Sequence, residues 1–450
     1  MSSPEATRVA PKSGKLAAGL YEVEALRWFG RGRVLCEEST TGLTAPVRML
    51  LPGERAVVEV GESGLLRDAR LIDLLKSSAA RATQTCTQAA ICPGCSMQHV
   101  QRSERARYAQ TLCSEVLARF GGWEIAQDEV RVVMGDEGGH RIRTGLRLRW
   151  SPGEGEVTTA VGMAQWPDAS LPLADFSRCE ANHPALRAAA DRLRFLEPEL
   201  WASMAGALSG TGTLAPGAEL SLALTFVEGR LLVDAEDAVV AQVVSAVLGA
   251  SREAFLAPWG VEGVEVGDPD RAWTHANPSM QDRLYAEALS MVEVRGERVW
   301  DLTCGEGGFA LALARAGAEV LASDRHWDAV QRCEANWARA ASQEAISGSV
   351  VTRGGDALAV LRGAARREER AKIAVINPMR EPLGEAVMEA LDASCAKKLL
   401  YLAPAPKAGA RDFSFLRSNG WVISSVAAVD LHPWTGQPMM VFCALRVDTD

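Results

Sequence analysis

The sequence lacks any apolar stretch able to cross a bilayer: the longest, Ala238 to Ala250, contains Gln242 and is too short. It also lacks a cationic excess. With 48 Lys+Arg against 57 Asp+Glu the net charge is −9, so contact with a nucleic acid has to come from a local basic surface. Residues 1–15 are polar and irregular, without the apolar core of a secretion signal, and a cytoplasmic protein with no membrane partner is expected. Ten cysteines in 450 residues are too few for a disulfide-built scaffold, and in that compartment close cysteine groups point to metal binding or catalysis. There is no internal repeat and no low-complexity tract.

What is present is an ordinary folding composition, 48% hydrophobic and 23% charged, in a chain long enough for two or three domains. Short apolar runs from Leu20 to Leu71, broken by Gly30, Gly32, Pro52 and Gly53, predict a small OB-type β-barrel over residues 16–76. Residues 77–265 read as a mixed α+β domain, with a helix from Glu104 to Phe120, strands at Gly145 to Trp150 and Thr158 to Met163, a helix from Pro184 to Met204, and paired strands at Glu219 to Phe226 and Arg230 to Asp234. From 266 to 450, strands alternate with helices of 10 to 15 residues, the pattern of a Rossmann-like parallel sheet.

In the last zone the run Val299-Trp-Asp-Leu-Thr-Cys-Gly-Glu-Gly-Gly-Phe309 is an apolar strand ending in Asp301, then Gly305, Gly307 and Gly308, then a helix. The glycines let backbone amides approach a ligand, and the helix offers an electropositive start. A second acid, Asp324, closes the next strand at the separation expected of a carboxylate that grips ribose hydroxyls. An acid before the glycines suits the cationic methionine portion of S-adenosylmethionine and would repel a pyrophosphate. Asp356 follows the third strand, where an adenine contact is expected, and Asn377 ends the fourth. Turn-forming Gly and Asp in a plain α/β fold are the bland alternative. Cys86, Cys92 and Cys95, with Cys179 as a distant fourth, supply thiolates for either a [4Fe–4S] cluster or zinc, and spacing does not separate the two.

The run Cys92-Pro-Gly-Cys95-Ser-Met-Gln-His99, the later single Cys179 and the Asp301 to Phe309 loop resemble, in this order, the TRAM-containing class I RNA uridine-5 methyltransferases. The resemblance extends to Gly30-Arg-Gly32 and Leu51-Pro-Gly-Glu54 in the barrel, His140-Arg-Ile-Arg143, Trp273-Thr-His-Ala-Asn277, Tyr401 to Asp412 and Leu431-His-Pro-Trp-Thr435. It implies S-adenosylmethionine, a four-Cys iron–sulfur cluster in preference to zinc, and a structured rRNA or tRNA partner for a monomeric protein.

That family's chemistry needs a Cys to add at uracil C6 and a carboxylate to take the C5 proton. Aligned through Pro406 and Arg411-Asp412, the nucleophile position is Pro404, and the base position after the Leu431 to Thr435 segment is Met439. The Asp-Pro-Pro-Arg segment has become Asn377-Pro-Met-Arg380, and the family Gln has become His275. The chain thus reads as a divergent member for which conventional 5-methyluridine synthesis is doubtful. The alternatives are an inactive RNA-binding homologue and an amino-group methyltransferase using Asn377-Pro378. Arg31 and Arg33 at a barrel turn, and Arg141, Arg143, Arg147 and Arg149 on one strand face, are the expected phosphate contacts. Trp28 and Phe29 are candidates for base stacking, and His99 reads as a packing residue.

Overall fold

A computed structural model describes residues 14–89, 91–152, 157–163, 173–195, 200, 219–227, 230–235, 238–249, 277–378 and 381–447. The chain divides into two compact units, one of residues 1–108, 163–174 and 434–437, the other of 109–162, 175–433 and 438–450. Among the described residues no helix is long and apolar enough to cross a membrane.

In the first unit, β1 (Gly19–Gly30), β2 (Arg33–Glu38), β3 (Thr44–Val47), β4 (Arg55–Val60) and β5 (Arg70–Lys76) form an antiparallel sheet in the order β3-β2-β1-β4-β5. Alternation makes the core: Val23 and Ala25 of β1 turn inward while Glu22 and Glu24 face outward, and the buried side joins Val34, Val47, Leu50, Val58 and Leu66. This fits the barrel-like domain expected. The end of the apolar runs is not one strand: Leu66–Asp68 form a 3-10 turn ahead of β5, because Leu66 is drawn into the core and the chain turns before pairing with β4.

A helix, α1 (Arg102–Val116), opens with residues of the first unit and ends with residues of the second. The expected continuation to Phe120 is a wider turn, Leu117–Gly121, stopped by Gly122 at φ 65. The second unit continues with β6 (Val130–Val133), β7 (Arg143–Pro152), β8 (Val157–Met163), a short β9 (Ala174–Asp175), α2 (Pro184–Leu193), β10 (Glu219–Val227), β11 (Arg230–Ala235) and α3 (Ala238–Leu248). Strands β11-β10-β7-β8-β9 make one sheet. Helix α2 ends eleven residues before the expected Met204, and most of the chain between α2 and β10 lies outside the described residues.

Next come α4 (Pro278–Ser290), β12 (Arg298–Asp301), α5 (Gly308–Arg315), β13 (Glu319–Asp324), α6 (Trp327–Gln343), β14 (Ser349–Gly354), α7 (Ala357–Arg366), β15 (Ile373–Ile376), α8 (Glu385–Asp392), β16 (Lys398–Ala403), α9 (Pro406–Arg417), β17 (Trp421–Val429) and β18 (Met439–Arg446). They build an eight-stranded sheet in the order β14-β13-β12-β15-β16-β18-β17-β6, parallel from β14 to β16 with β18 antiparallel. This is the Rossmann-like sheet expected. Both faces are covered: Ala374 and Ile376 of β15 pack with Met388 and Phe413 on one side, Ile373 and Val375 with Leu313 and Leu284 on the other. The chain leaves β12 toward β13 on one side and returns as β15 on the other. At such a reversal open α/β sheets place their ligand crevice, outside the carboxyl ends of the strands.

Candidate active site

Asp301 ends β12 at that crevice and is buried. Its Oδ1 accepts from the Thr303 N–H at 3.4 Å, whereas its Oδ2 is shielded from solvent and has no hydrogen-bond partner among the described residues. Burial pushes this carboxyl up to about 7, the Thr303 N–H opposing the rise and the Asp324 charge adding to it. Two further oxygens are in the same state, Gln281 Oε1 on α4 and Asn377 Oδ1 just beyond β15. Each such atom costs about 1–3 kcal/mol unless a donor reaches it. A cationic, donor-bearing ligand would satisfy them. The residues present therefore suit the methionine end of S-adenosylmethionine.

The loop is shaped by its glycines. Gly305 at φ 53 donates its N–H to Asp324 Oδ2 at 3.1 Å, and Gly307 at φ 90 caps α5. A Cβ on Gly307 would stand 2.5 Å from Cys333 Sγ, and one on Gly308 2.9 Å from the Tyr285 hydroxyl, so neither position tolerates a side chain. Asp324 closes β13 and also accepts from His326 N at 2.9 Å. It therefore braces the glycine loop. Asp356 is exposed and is the N-cap of α7, its Oδ1 accepting from Ala359 N at 2.8 Å, a structural duty its place after the third strand did not announce.

Asn377 donates its backbone N–H to Thr303 Oγ1 at 2.6 Å, tying the end of β15 to the β12 loop. The chain beyond it is held by Asp412, fully buried, whose carboxylate accepts from Leu383 N at 2.8 Å, Gly384 N at 2.9 Å and the Tyr401 hydroxyl at 2.6 Å. Sequence reasoning missed Gln281, Thr303 and this role of Asp412. The i, i+4 spacing of Gln281 and Tyr285, which share a 2.9 Å hydrogen bond over Gly308, was the available signal for the first.

Pairing of Ile376 with Tyr401, and of Ala403 with Met440, brings Pro404 and Met439 to the same end of neighbouring strands beside Asn377. Two positions 35 residues apart in sequence thus share one sheet edge. Met439 is buried among Leu402, Val429 and Leu431. Asn277 Nδ2 donates to the Leu431 carbonyl at 2.9 Å, while His275, Met379 and Arg380 lie outside the described residues. Of the other cysteines of this unit, burial pushes Cys113 up to about 12 and raises Cys443, and the hydrogen bond with Cys333 together with burial raises Cys304. None of these is an activated thiolate.

Cys86, Cys92 and Cys95 lie in the first unit and Cys179 in the second. Four thiols are the right donor chemistry for a cluster. Among the described residues no three His, Cys, Asp or Glu side chains form a group able to hold a metal ion. His99 is buried, with Nε2 3.4 Å from the Leu50 carbonyl, and burial lowers its pKa to about 4, as befits a packing residue.

Arg31 is exposed at the apex of the β1-β2 turn in the left-handed region, φ 52, and Arg33 is half-buried at the start of β2. Beneath them Gly32 packs on Ser96 and Met97 and donates its N–H to the Tyr108 hydroxyl at 3.1 Å. Trp28 lies edge-on to Tyr108 with centroids 4.9 Å apart, so it packs, and Phe29 is the exposed ring. The single arginine face is shorter than expected. Strand β7 begins at Arg143, and Arg141 precedes it, half-buried and bridged to Asn182, because its backbone pairs with 181–183 instead. Arg147 is exposed between buried Leu146 and Leu148, and the Arg149 side chain is outside the described set.

No protein-family model matches the chain. It is 27% identical over 433 residues, 92% of its length and 91% of the relative's, to the 23S rRNA (uracil(1939)-C(5))-methyltransferase RlmD of Pseudomonas aeruginosa. With the protein of the same name from Vibrio cholerae it shares 24% over 395 residues, 86% of this chain and 87% of the other. Among solved structures it is similar to the Pyrococcus abyssi tRNA (uracil-54, C5)-methyltransferase in complex with S-adenosyl-L-homocysteine, with TM-score 0.66 and 15% identity over 94% of this chain and 99% of that one. That likeness shows a common fold.

Proposed function

We propose that the chain is a divergent member of the RNA uridine-5 methyltransferase family, a cytoplasmic, monomeric, S-adenosylmethionine-dependent enzyme acting on rRNA or tRNA. The observation that carries this is Asp301, buried at the crevice beside a glycine loop with an oxygen awaiting a donor. Similarity to rRNA methyltransferases over nine-tenths of the chain supports the substrate class. Bound there, the cofactor supplies an electrophilic methyl on a sulfonium. Asp301 and Gln281 accept from its ammonium end, Asp324 from its ribose, the residues about Asp356 border its adenine, and Asn377 faces the methyl end. Residues 16–76 form the TRAM-like module, 77–265 the central RNA-binding domain and 266–450 the transfer domain, with Phe29, Arg31, Arg33, Arg141 and Arg143 touching RNA.

Uracil C5 is a poor nucleophile, and Pro404 and Met439 offer neither a thiol to activate it nor a base to take its proton. Conventional C5 transfer is therefore not part of this proposal. A second reading, an RNA-binding homologue without turnover, is favoured by the same two residues. Labelled methyl transfer from the cofactor to total RNA of cells lacking the protein separates them: RNA-dependent incorporation is expected, and none at saturating cofactor would leave the second reading. The thiols of Cys86, Cys92, Cys95 and Cys179 stand as cluster ligands on resemblance and spacing alone, and no step runs through them. Iron and sulfide analysis of anaerobically purified protein should give about four of each per chain, and a colourless iron-free sample would remove the cluster.

A further inference from the structure

A charged surface that no step above uses lies where the turn Leu117–Gly121 meets α9. The Lys407 ammonium stands 4.7 Å from the centroid of the half-buried Phe120 ring, the Arg119 guanidinium 5.2 Å and the Arg411 guanidinium 5.6 Å. All three residues are exposed, and among the described residues none of them forms an ion pair. Charges so placed lie within about one Debye length of each other (about 10 Å at 0.1 M salt) and repel. The electron-rich ring face offsets only part of that. Elsewhere in this unit Arg131, Arg298, Arg353 and Arg367 are each paired with a glutamate. In a chain with more acids than bases, three cations gathered without a counter-charge call for one from outside.

The surface is firmly built and well placed. Gly121 brings the turn onto α9, where a Cβ would meet the Ala410 carbonyl at 3.2 Å, and Trp123 meets Phe413 edge-on with centroids 6.1 Å apart. Helix α9 begins two residues after Pro404, so Lys407 stands at the carboxyl end of β16, the edge shared with Asn377 and Met439, and Arg411 lies about one turn further along. We propose that Arg119, Lys407 and Arg411 bind phosphates of the RNA backbone next to the nucleotide that enters the crevice. The inference rests on the RNA methyltransferase reading above. Guanidinium and ammonium donors suit phosphate oxygens, and such contacts fix the position of the strand without reading its sequence. Phe120 holds the three long side chains in place, which lowers the entropy lost when they engage the backbone.

The test uses the full chain and fluorescein-labelled bulk tRNA and rRNA from cells lacking the protein, with binding followed by anisotropy over a range of salt concentrations. The triple variant Arg119→Gln, Lys407→Gln, Arg411→Gln should bind at least about tenfold weaker at 0.1 M salt, and the slope of log affinity on log salt should flatten by about 2 to 3. Arg119→Lys with Arg411→Lys, which keeps the charge, should stay within about threefold of the parent, and Arg298→Gln, at the amino end of β12, should match it. All variants should keep the parent's melting temperature and its calorimetric affinity for S-adenosylhomocysteine. An unchanged salt slope in the triple variant, an equal loss in the lysine variant, or displacement of the RNA by millimolar inorganic phosphate, the mark of a small-anion site, would each overturn the assignment while leaving RNA binding itself intact. If the unaltered protein binds none of these RNAs at any salt concentration, the RNA reading fails and this surface with it, which is a distinct outcome.

Discussion

Asp301 places the needs of folding and of function in opposition. Its folded carboxyl holds a proton up to about pH 7, against an ordinary value of 3.8, because the charge is buried without full compensation. In the unfolded chain the same group ionises first. The cofactor-free protein therefore keeps its stability below about pH 4, loses it as the pH climbs, and stops losing it above about 7. The cost is of order 4 kcal/mol at most. Asp301→Asn should raise the melting temperature of the cofactor-free protein at pH 8, by the equivalent of about 1–3 kcal/mol, while abolishing cofactor binding. Melting curves from pH 5 to 8 check the first half, and a variant less stable than the parent at pH 8 would refute it. For the unaltered protein, cofactor affinity should rise with pH and level off above about 7, since the cationic ligand prefers the ionised carboxylate.

At the scale of elements, the motifs acquire mechanical roles that their residue types did not announce. Asp356 stops a strand-to-helix loop by capping α7. Asp356→Ala should cost about 1 kcal/mol and Asp356→Ser should restore most of it, measured by denaturant melts. Equal stability in all three would remove the cap. Asp412 gathers three donors, two on the loop before α8 and one on β16. Its replacement by Ala should cost about 2–4 kcal/mol, because two backbone N–H groups and a buried hydroxyl lose their partner together. Tyr401→Phe, which removes one bond only, should cost about 1 kcal/mol. The sequence displayed β15 plainly, four consecutive apolar residues flanked by polar ones, since a strand covered on both faces must be apolar on both. It hid β6, four residues long, which is a strand only by pairing with β17, and it hid the bend at Ala69, which depends on the burial of Leu66.

Across the whole molecule, the parallel sheet of residues 266–450 was legible because strands alternating with helices of 10 to 15 residues have to be joined by crossovers. The gathering of Asp301, Gln281 and Asn377 was not, since it requires three elements to be folded together before the unsatisfied oxygens exist. The segment Trp434 to Gln437 likewise belongs to the first unit, where the Trp434, Thr435 and Gly436 carbonyls accept from Met97 N, Ser96 Oγ and the Tyr108 hydroxyl. A motif that reads as part of a catalytic stretch is here a buried strap. With Pro404 and Met439 at the strand ends, RNA carrying 5-fluorouridine should form no denaturation-resistant adduct with this protein, and a trapped complex would reveal a nucleophile outside this description.

The most direct measurement is calorimetric titration of the purified full-length chain with S-adenosylhomocysteine, beside its Asp324→Ala variant. One ligand per chain should bind, and the variant, having lost the carboxylate that braces Gly305 and that we propose accepts from the ribose, should bind it weaker by about 1–3 kcal/mol. No heat and no competition by S-adenosylmethionine at millimolar ligand would contradict the assignment of the crevice.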